Sequence, residues 1–332
     1  MAKLKLSQVV EGFFLAQEAR QLAPTTMDEY RRVLRRLGEH LGDVDFRSIT
    51  PALISGFLLA MGEERDVAGV APRRLSLSKK SLLNHHTALS ALWSWCVSQA
   101  LVSSNILKQV ERARPEQQAI VPFSQDDCRR LMEACTATRP YRIPGRAAFE
   151  TVRPTAARDQ AIVLMLLDTG MRATELCEMT IASVDLRNRR AVVMGKNSKE
   201  RFLPFSPAVG QAVWMYLRSD RANQLANAPL FGARGGETLS RNALLQLCGH
   251  LGDRAGVADC HPHRFRHTFA ITYLRNGGSI YELQAMLGHA SLDMVKHYLD
   301  IAQADVDRAH HLASPVANWR LKAHRVASGS KH

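Results

Sequence analysis

Six cysteines are spread over 332 residues with no Cys-x-x-Cys among them. Neither a disulfide framework nor a paired-thiol zinc site is therefore written into this chain. Several of the six (Cys96, Cys128, Cys135, Cys177, Cys248 and Cys260) fall inside apolar helical stretches and read as buried free thiols of a reducing compartment. No apolar run approaches the roughly 18 residues of a membrane span, and Met1-Ala2-Lys3-Leu4-Lys5-Leu6 lacks the apolar core of a secretion signal. A soluble cytoplasmic protein without a membrane partner is expected. The sequence also lacks a P-loop and an acidic cluster of metal-ligand spacing, so no cofactor and no metal are expected. Acidic residues are themselves in short supply: 31 Asp and Glu face 44 Lys and Arg, a formal net charge of +13. Such an excess favours a polyanionic partner through counterion release.

What is present divides into two halves, as the length suggests at about 150 residues per domain. In the first half, residues 7–19 place Val9, Val10, Phe13 and Phe14 on one helical face. Thr26 with Glu29 forms a capping-box pattern ahead of Tyr30, Val33, Leu34, Leu37 and Leu41, and Gly42 stops that helix. Thr50-Pro51 opens a third helix with Leu53, Ile54, Phe57, Leu58 and Met61 as its core face. After a basic loop with Arg73 and Arg74, Ser78 starts a fourth helix carrying Leu82, Leu83, Leu89, Leu92, Trp93, Cys96 and Val97. Residues 1–112 thus read as a helical domain, 113–122 as a polar linker containing Pro115, and 123–332 as a second domain.

The second half holds the chemistry. A nearly all-apolar segment at 159–168 ends at Gly170, leaving Arg172 at the start of the next helix with Glu175 one turn on, able to orient its guanidinium. Short β-type runs, Val192-Val193-Met194 and Arg201-Phe202-Leu203-Pro204-Phe205, flank a turn with Lys196 and Lys199, a hairpin by ordinary signals. Next come His263-Arg264-Phe265-Arg266-His267, then Leu287-Gly288-His289, then Tyr298 on another helical stretch. Cys260, His261, His263 and His267 do not make a zinc site, because the spacing supplies no further ligands. Two arginines to hold non-bridging oxygens bidentately, histidines to donate or move a proton, and a tyrosine hydroxyl are the inventory for attacking a phosphodiester without metal.

At these segments the chain resembles the tyrosine recombinase (phage integrase, Xer-like) family, over almost its whole length. Thr169 to Leu176 is similar to the family's first arginine box, His263 to His267 to its H-x-x-R-H box, Leu287 to Tyr298 to its closing segment, and Gly195 to Arg201 to its lysine hairpin. Phe265, where the family usually has leucine, and a Pro/Arg-rich stretch at 136–158 depart from the pattern. The resemblance implies a mainly α fold with a small β-sheet. It implies a four-helix core-binding (SAM-like) domain that clamps DNA and a mixed α/β catalytic domain. It implies a site-specific recombinase that cuts and rejoins DNA through a 3′-phosphotyrosine, with Tyr298 as nucleophile; Arg172, Arg266 and His289 as charge stabilisers; Lys196, with Lys199 competing, as the acid; and His263 assisting the proton at the tyrosine. In that scheme Glu175 is a supporting residue and His267 packs inside. Arg73, Arg74, Lys79, Lys80, Asn84 and Arg264 are the candidate DNA contacts, and the arginines between Arg139 and Arg158 form either a basic loop near DNA or a surface insert.

The implied partners are double-stranded recombination sites and further copies of the chain in a tetramer at the nucleoid. The segment from Ala302 to Trp319, with Leu312 and Val316, docks on a neighbour or folds back. Integration or excision of a mobile element and Xer-type resolution both fit, with the insert and the tail favouring the first. A type IB topoisomerase shares the chemistry, and a DNA-binding regulator with vestigial catalytic groups is the reading of another class.

Overall fold

The computed structural model describes residues 3–62, 77–116, 120–136, 151–195, 200–232, 237–288, 291–292, 295–303 and 314–319. The chain divides into two compact units, Met1–Ala119 and Ile120–His332. Arg73, Arg74, Lys196, Lys199, His289, Leu312 and most of the 136–158 stretch lie outside the described residues. No described helix is long and apolar enough to cross a membrane.

The first unit is made of α1 (Leu6–Ala19), α2 (Pro24–Leu41), α3 (Pro51–Gly62) and α4 (Lys79–Ser98). Helix α2 starts earlier than the Thr26 pattern suggests: Ala23 is the N-cap and Pro24 the first helical residue. Proline's fixed φ and missing N–H suit that position, so the capping-box pattern falls inside the first turn. Gly42 ends the helix at φ +73°, as its place after Leu41 predicts. Ser78 caps α4, accepting a hydrogen bond from the Ser81 N–H. Helix α4 supplies the centre of the core through Leu89, Leu92, Trp93 and Cys96, with the Trp93 ring stacked on Phe46 at 4.8 Å between centroids. On α3 only Ile54 and Phe57 are fully buried; Leu53, expected on the same face, is exposed.

The second unit surrounds α6 (Ala156–Thr169), whose Ala161, Ile162, Val163, Met165 and Leu166 are all buried. Against it pack α5 (Gln125–Thr136), α8 (Pro207–Asp220) and α10 (Pro262–Arg275), while α9 (Arg241–Ala255) packs on α5 and on the short α7 (Ala173–Glu178). Ser124 and Asp127 cap the start of α5 reciprocally: the Asp127 N–H donates to Ser124 Oγ and the Ser124 N–H to Asp127 Oδ2, both at 3.0 Å. An antiparallel sheet of β1 (Val184–Asp185), β2 (Arg190–Met194) and β3 (Glu200–Pro204) contains the expected hairpin, with Val193 opposite Arg201 and Ala191 opposite Leu203. Helix α11 (Ile280–Leu287) is followed by α12, described over 295–303, and α13 (Pro315–Asn318).

Two expectations for basic residues change here. Arg153 and Arg158 do not form a basic loop. Both bind the fully buried carboxylate of Asp159, at 2.7 Å and 2.9 Å, and Thr155 Oγ1 donates to it at 2.9 Å. Arg153 also caps the end of α5 through the Cys135 carbonyl, and Arg158 reaches the Gly232 carbonyl. A buried carboxylate needs such partners, and it has taken the two arginines closest in sequence.

Arg264, expected among the DNA contacts, has partners within its own unit. Its Nε donates to the Val121 carbonyl at 3.0 Å, Nη1 to the Ala258 carbonyl, and the guanidinium lies 4.2 Å from the Phe123 ring centre. It ties the first residues of this unit to α10.

Candidate active site

Gly170 terminates α6 in the left-handed conformation, φ +60°, and a Cβ there would sit 2.3 Å from Phe269 Cδ1. Glycine is thus needed twice, for the turn and for the close approach of α10. The turn delivers Arg172 as the N-cap of α7. Glu175 reaches back as the sequence suggests. Its Oε2 accepts from the Arg172 backbone N–H at 2.7 Å and its Oε1 from Arg172 Nη1 at 2.8 Å.

A residue without an assigned role from sequence completes this cluster. Arg201, on β3, grips the same carboxylate with both terminal nitrogens, Nη1 to Oε1 at 2.8 Å and Nη2 to Oε2 at 2.6 Å. Burial alone would raise the Glu175 carboxyl, but hydrogen bonds from Arg201 and Arg172 outweigh it and hold it below the usual carboxylate range. The signal in the sequence was strand alternation: Arg201 shares its face with buried Leu203.

On α10, His261 caps the helix by accepting from the Arg264 N–H, and Pro262 takes the first turn. His263, Arg266 and His267 follow at i, i+3 and i+4, the spacing of one helical face. Arg266 is 2% exposed, and burial, with Arg172 beside it, pushes its guanidinium down to about 10, still a cation near neutrality. It donates from Nη1 to the Gly170 carbonyl and from Nη2 to the Leu287 carbonyl, each at 2.8 Å.

The end of α11 is where the three arginines meet. Arg201 Nε donates to the Met286 carbonyl, Arg266 Nη2 to Leu287 and Arg172 Nη2 to Gly288, at 3.0, 2.8 and 3.0 Å. These are carbonyls that a helix C-terminus leaves unpaired, carrying the negative end of its dipole. Three consecutive acceptors and one carboxylate therefore offset the repulsion among three guanidinium groups. Gly288 adopts φ +61°, and a Cβ there would lie 3.1 Å from Arg201 Nη1.

Tyr298, on α12, is 5% exposed. Its hydroxyl lies 2.8 Å from His267 Nδ1, and burial raises its pKa above the ordinary tyrosine value, with Arg266 pulling the other way. His267, expected to pack inside, is half-buried and contacts the tyrosine hydroxyl. The exposed His263 stands beyond it, ring centres 4.2 Å apart in an edge arrangement. Burial, with the positive field of His263, His261, Arg266 and His297, pushes His267 down to about 4. On α4, Lys79, Lys80 and Asn84 are all exposed, and Lys79 Nζ reaches Glu116 at 2.8 Å.

Residues 122–305 match the model of the phage integrase family. The chain is 28% identical over 295 residues to tyrosine recombinase XerC of Mycobacterium sp. (strain JLS), covering 88% of this chain and 91% of that protein. It is 29% identical over 291 residues to tyrosine recombinase XerD of Mycobacterium leprae (strain TN), covering 84% and 87%. Among solved structures it is similar to the Tn1549 transposon integrase in complex with transposon right end DNA, with a TM-score of 0.70 at 20% identity over 92% of this chain and 99% of that one. The last likeness speaks for the fold. The family model spans more than half of the sequence, and on that ground this chain belongs to the phage integrase family and is a tyrosine recombinase.

Proposed function

We propose that Tyr298 attacks a phosphodiester of a specific double-stranded site, forming a 3′-phosphotyrosine and releasing a 5′-hydroxyl. The observation that carries this reading is the gathering of Arg172 and Arg266 on the end of α11 beside the buried Tyr298 hydroxyl. Fixed donors aimed at developing charge contribute on the order of 3 kcal/mol each in comparable sites. Arg172, the more open of the two, meets the phosphate first, and Arg266 forms the floor. His289 adds a donor, Lys196 protonates the departing oxygen, and Glu175 with Arg201 holds Arg172 in place. Because the bond energy stays in the phosphotyrosine, a 5′-hydroxyl from a second duplex can reverse the step without nucleotide hydrolysis.

The four-helix unit contributes phosphate contacts from Lys79, Lys80 and Asn84, a reading supported by their exposure on the first turns of α4. Two duplexes cut at two positions each need four protomers. The exposed Val316 and Trp319 support docking of the tail on a neighbour. Integration or excision of a mobile element is favoured over Xer-type resolution by the 136–158 stretch and the tail.

The deciding experiment is incubation with a nicked site, which traps the cleavage product. A covalent adduct is expected on Tyr298; an adduct on Tyr281 would remove the assignment. A 5′-bridging sulfur, whose leaving group needs no proton, is expected to restore cleavage by Lys196→Ala. Rescue of Lys199→Ala alone would move the acid role to that lysine.

A further inference from the structure

We propose that residues 120–123 brace α10 from the side opposite Arg266, and that Arg264 and Thr268, which hold them there, are positioning residues for cleavage. This rests on the reading of Arg266 as a phosphate ligand and Tyr298 as the nucleophile. Arg264 and Thr268 lie four residues apart and share one side of α10, while Arg266 points about half a turn away from them. Arg264 reaches instead to the chain entering this unit. Its Nε holds the Val121 carbonyl at 3.0 Å, and its guanidinium lies 4.2 Å from the Phe123 ring centre. The Phe123 N–H donates to Thr268 Oγ1 at 2.9 Å, and the Thr268 hydroxyl donates in turn to the Arg264 carbonyl at 2.8 Å.

At Val121 it is the backbone that is held. The side chain is 62% exposed, so apolar burial does not fix this residue, whereas its carbonyl is bound. The residues on either side are anchored to two different apolar clusters. Phe123 packs on Phe265, ring centres 4.8 Å apart, in the main core of the second unit. Ile120 packs on the smaller cluster that contains Phe269, Leu287, Val295 and Tyr298. The same arginine also binds the Ala258 carbonyl at 2.5 Å, tying the turn before α10 to the brace. Four residues of chain thus run from the surroundings of the tyrosine to the outer side of the helix that carries Arg266.

The position of α10 decides what Arg266 can reach. Its two bonds, to the Gly170 and Leu287 carbonyls, are each 2.8 Å long. A slide of the helix by about 1 Å takes both out of hydrogen-bond range, and a misplacement of that size costs about 100-fold in rate in comparable sites. The same slide moves Phe269, which packs in the Tyr298 cluster. Freeing the brace leaves the packing of α10 on α6 in place, so the helix stays folded while its position is set less narrowly. Every group that meets DNA is then still present. The loss falls on the alignment of arginine and tyrosine, and hence on the rate rather than on binding.

The test is single-turnover cleavage of a nicked site at saturating full-length protein, with site binding and melting temperature measured alongside. Thr268→Val keeps the side chain's shape and removes the acceptor for the Phe123 N–H. It is expected to cleave about tenfold more slowly, and Thr268→Ser to recover to within about twofold of wild type. Arg264→Ala is expected to lose about 30- to 100-fold, and all three should bind the site within about twofold of wild type. Because both positions hold the same segment, Arg264→Ala with Thr268→Val should be at most about threefold slower than Arg264→Ala. Val213→Ala, a core truncation on α8 outside the brace, controls for lost stability and should cleave within about twofold of wild type below its melting temperature. Equal slowing of Val213→Ala at a matched fall in melting temperature would overturn the proposal, as would full-speed cleavage by Thr268→Val. So would a loss confined to site binding in Arg264→Ala, which would make that arginine a DNA contact. If Arg264→Ala does not fold, the valine and serine variants decide alone. Mapping the wild-type adduct separates the two readings. An adduct elsewhere than Tyr298 removes the nucleophile assignment; an adduct at Tyr298 with full-speed Thr268→Val removes only the brace.

Discussion

The interiors of the two units are built on different terms. In the first unit the buried polar side chains among the described residues are Gln17, His85 and His86. Both histidines bond to main-chain carbonyls, His85 to Ser81 and His86 to Leu107 and Val110. The second unit buries Asp159, Glu175, Arg221 and Arg266. Taking such charges out of water costs several kcal/mol each before partners repay it. The first interior sets a shape, which apolar packing alone achieves. The second sets the direction of particular N–H bonds, and keeping donors aimed at a future charge requires that they be fixed and dry beforehand.

If that contrast is right, the largest effect belongs to the group that reacts. Tyr298→Phe removes one oxygen and is expected to slow cleavage at least about ten-thousandfold, roughly 5.5 kcal/mol of barrier, with site binding near normal. Cleavage within about 100-fold of wild type would place the chemistry elsewhere.

Next comes the buried ion cluster that has no part in the reaction. Asp159→Ala leaves Arg153 and Arg158 around an empty space and is expected to destabilise the chain by about 3–5 kcal/mol in urea unfolding. An unchanged midpoint would show that the second interior tolerates unpaired charge after all. Arg201→Ala should cost less, about 100-fold in cleavage or roughly 2.7 kcal/mol, with little further loss when added to Arg172→Ala. Simple additivity of the two would show that Arg201 does not act through Arg172.

A smaller effect comes from protons. His267 is lowered from 6.5 to about 4, so the folded chain refuses a proton that the unfolded chain accepts. Its contribution is complete above about pH 6.5 and is lost as the pH falls toward 4. In His267→Gln the acid-side fall in melting temperature should be shallower by about 2–4 °C. It should not disappear, since His261 and His263 are lowered too. An identical pH profile would mean that the ring's burial is lost before unfolding. Smallest of all is Glu116→Ala, which frees Lys79 from a pair whose side chains are 61% and 87% exposed. The unfolding midpoint should stay where it is, and a measurable shift would give the first unit an ionic component of its own.

Elements whose sequence signal is local were legible before the structure. The apolar α6, the Gly170 and Gly42 stops, the Ser78 start and the β2–β3 hairpin follow from periodicity and end chemistry that act within a few residues. The start of α2 was misplaced because Pro24 and Thr26 both offer a beginning, and proline's φ fits the earlier one. What sequence did not disclose were the destinations of long side chains. Arg153, Arg158 and Arg264 look like solvated charge in the bare sequence, yet each has a carbonyl or carboxylate partner brought near by folding. His267 is adjacent to Arg266 in sequence but meets Tyr298 only because α12 returns to α10. Arg201 carried a weak clue, a charge on the strand's inward face, whose meaning required knowing that Glu175 lies across from it.

The three carbonyls at the end of α11 carry a further consequence, for how this chain can vary. Acceptors on the backbone are indifferent to which side chain sits above them, so replacements of Met286 or Leu287 leave the arginine contacts in place provided they still pack, whereas Gly288 is held to glycine by its φ of +61° and by Arg201. A change in helix length is another matter. One residue inserted or removed before Met286 turns the following carbonyls by about 100° and shifts them by about 1.5 Å. Arg201, Arg266 and Arg172 would then lose register with 286, 287 and 288 together. Substitutions scattered through α11 are therefore compatible with an intact cluster, whereas a single-codon insertion or deletion is not.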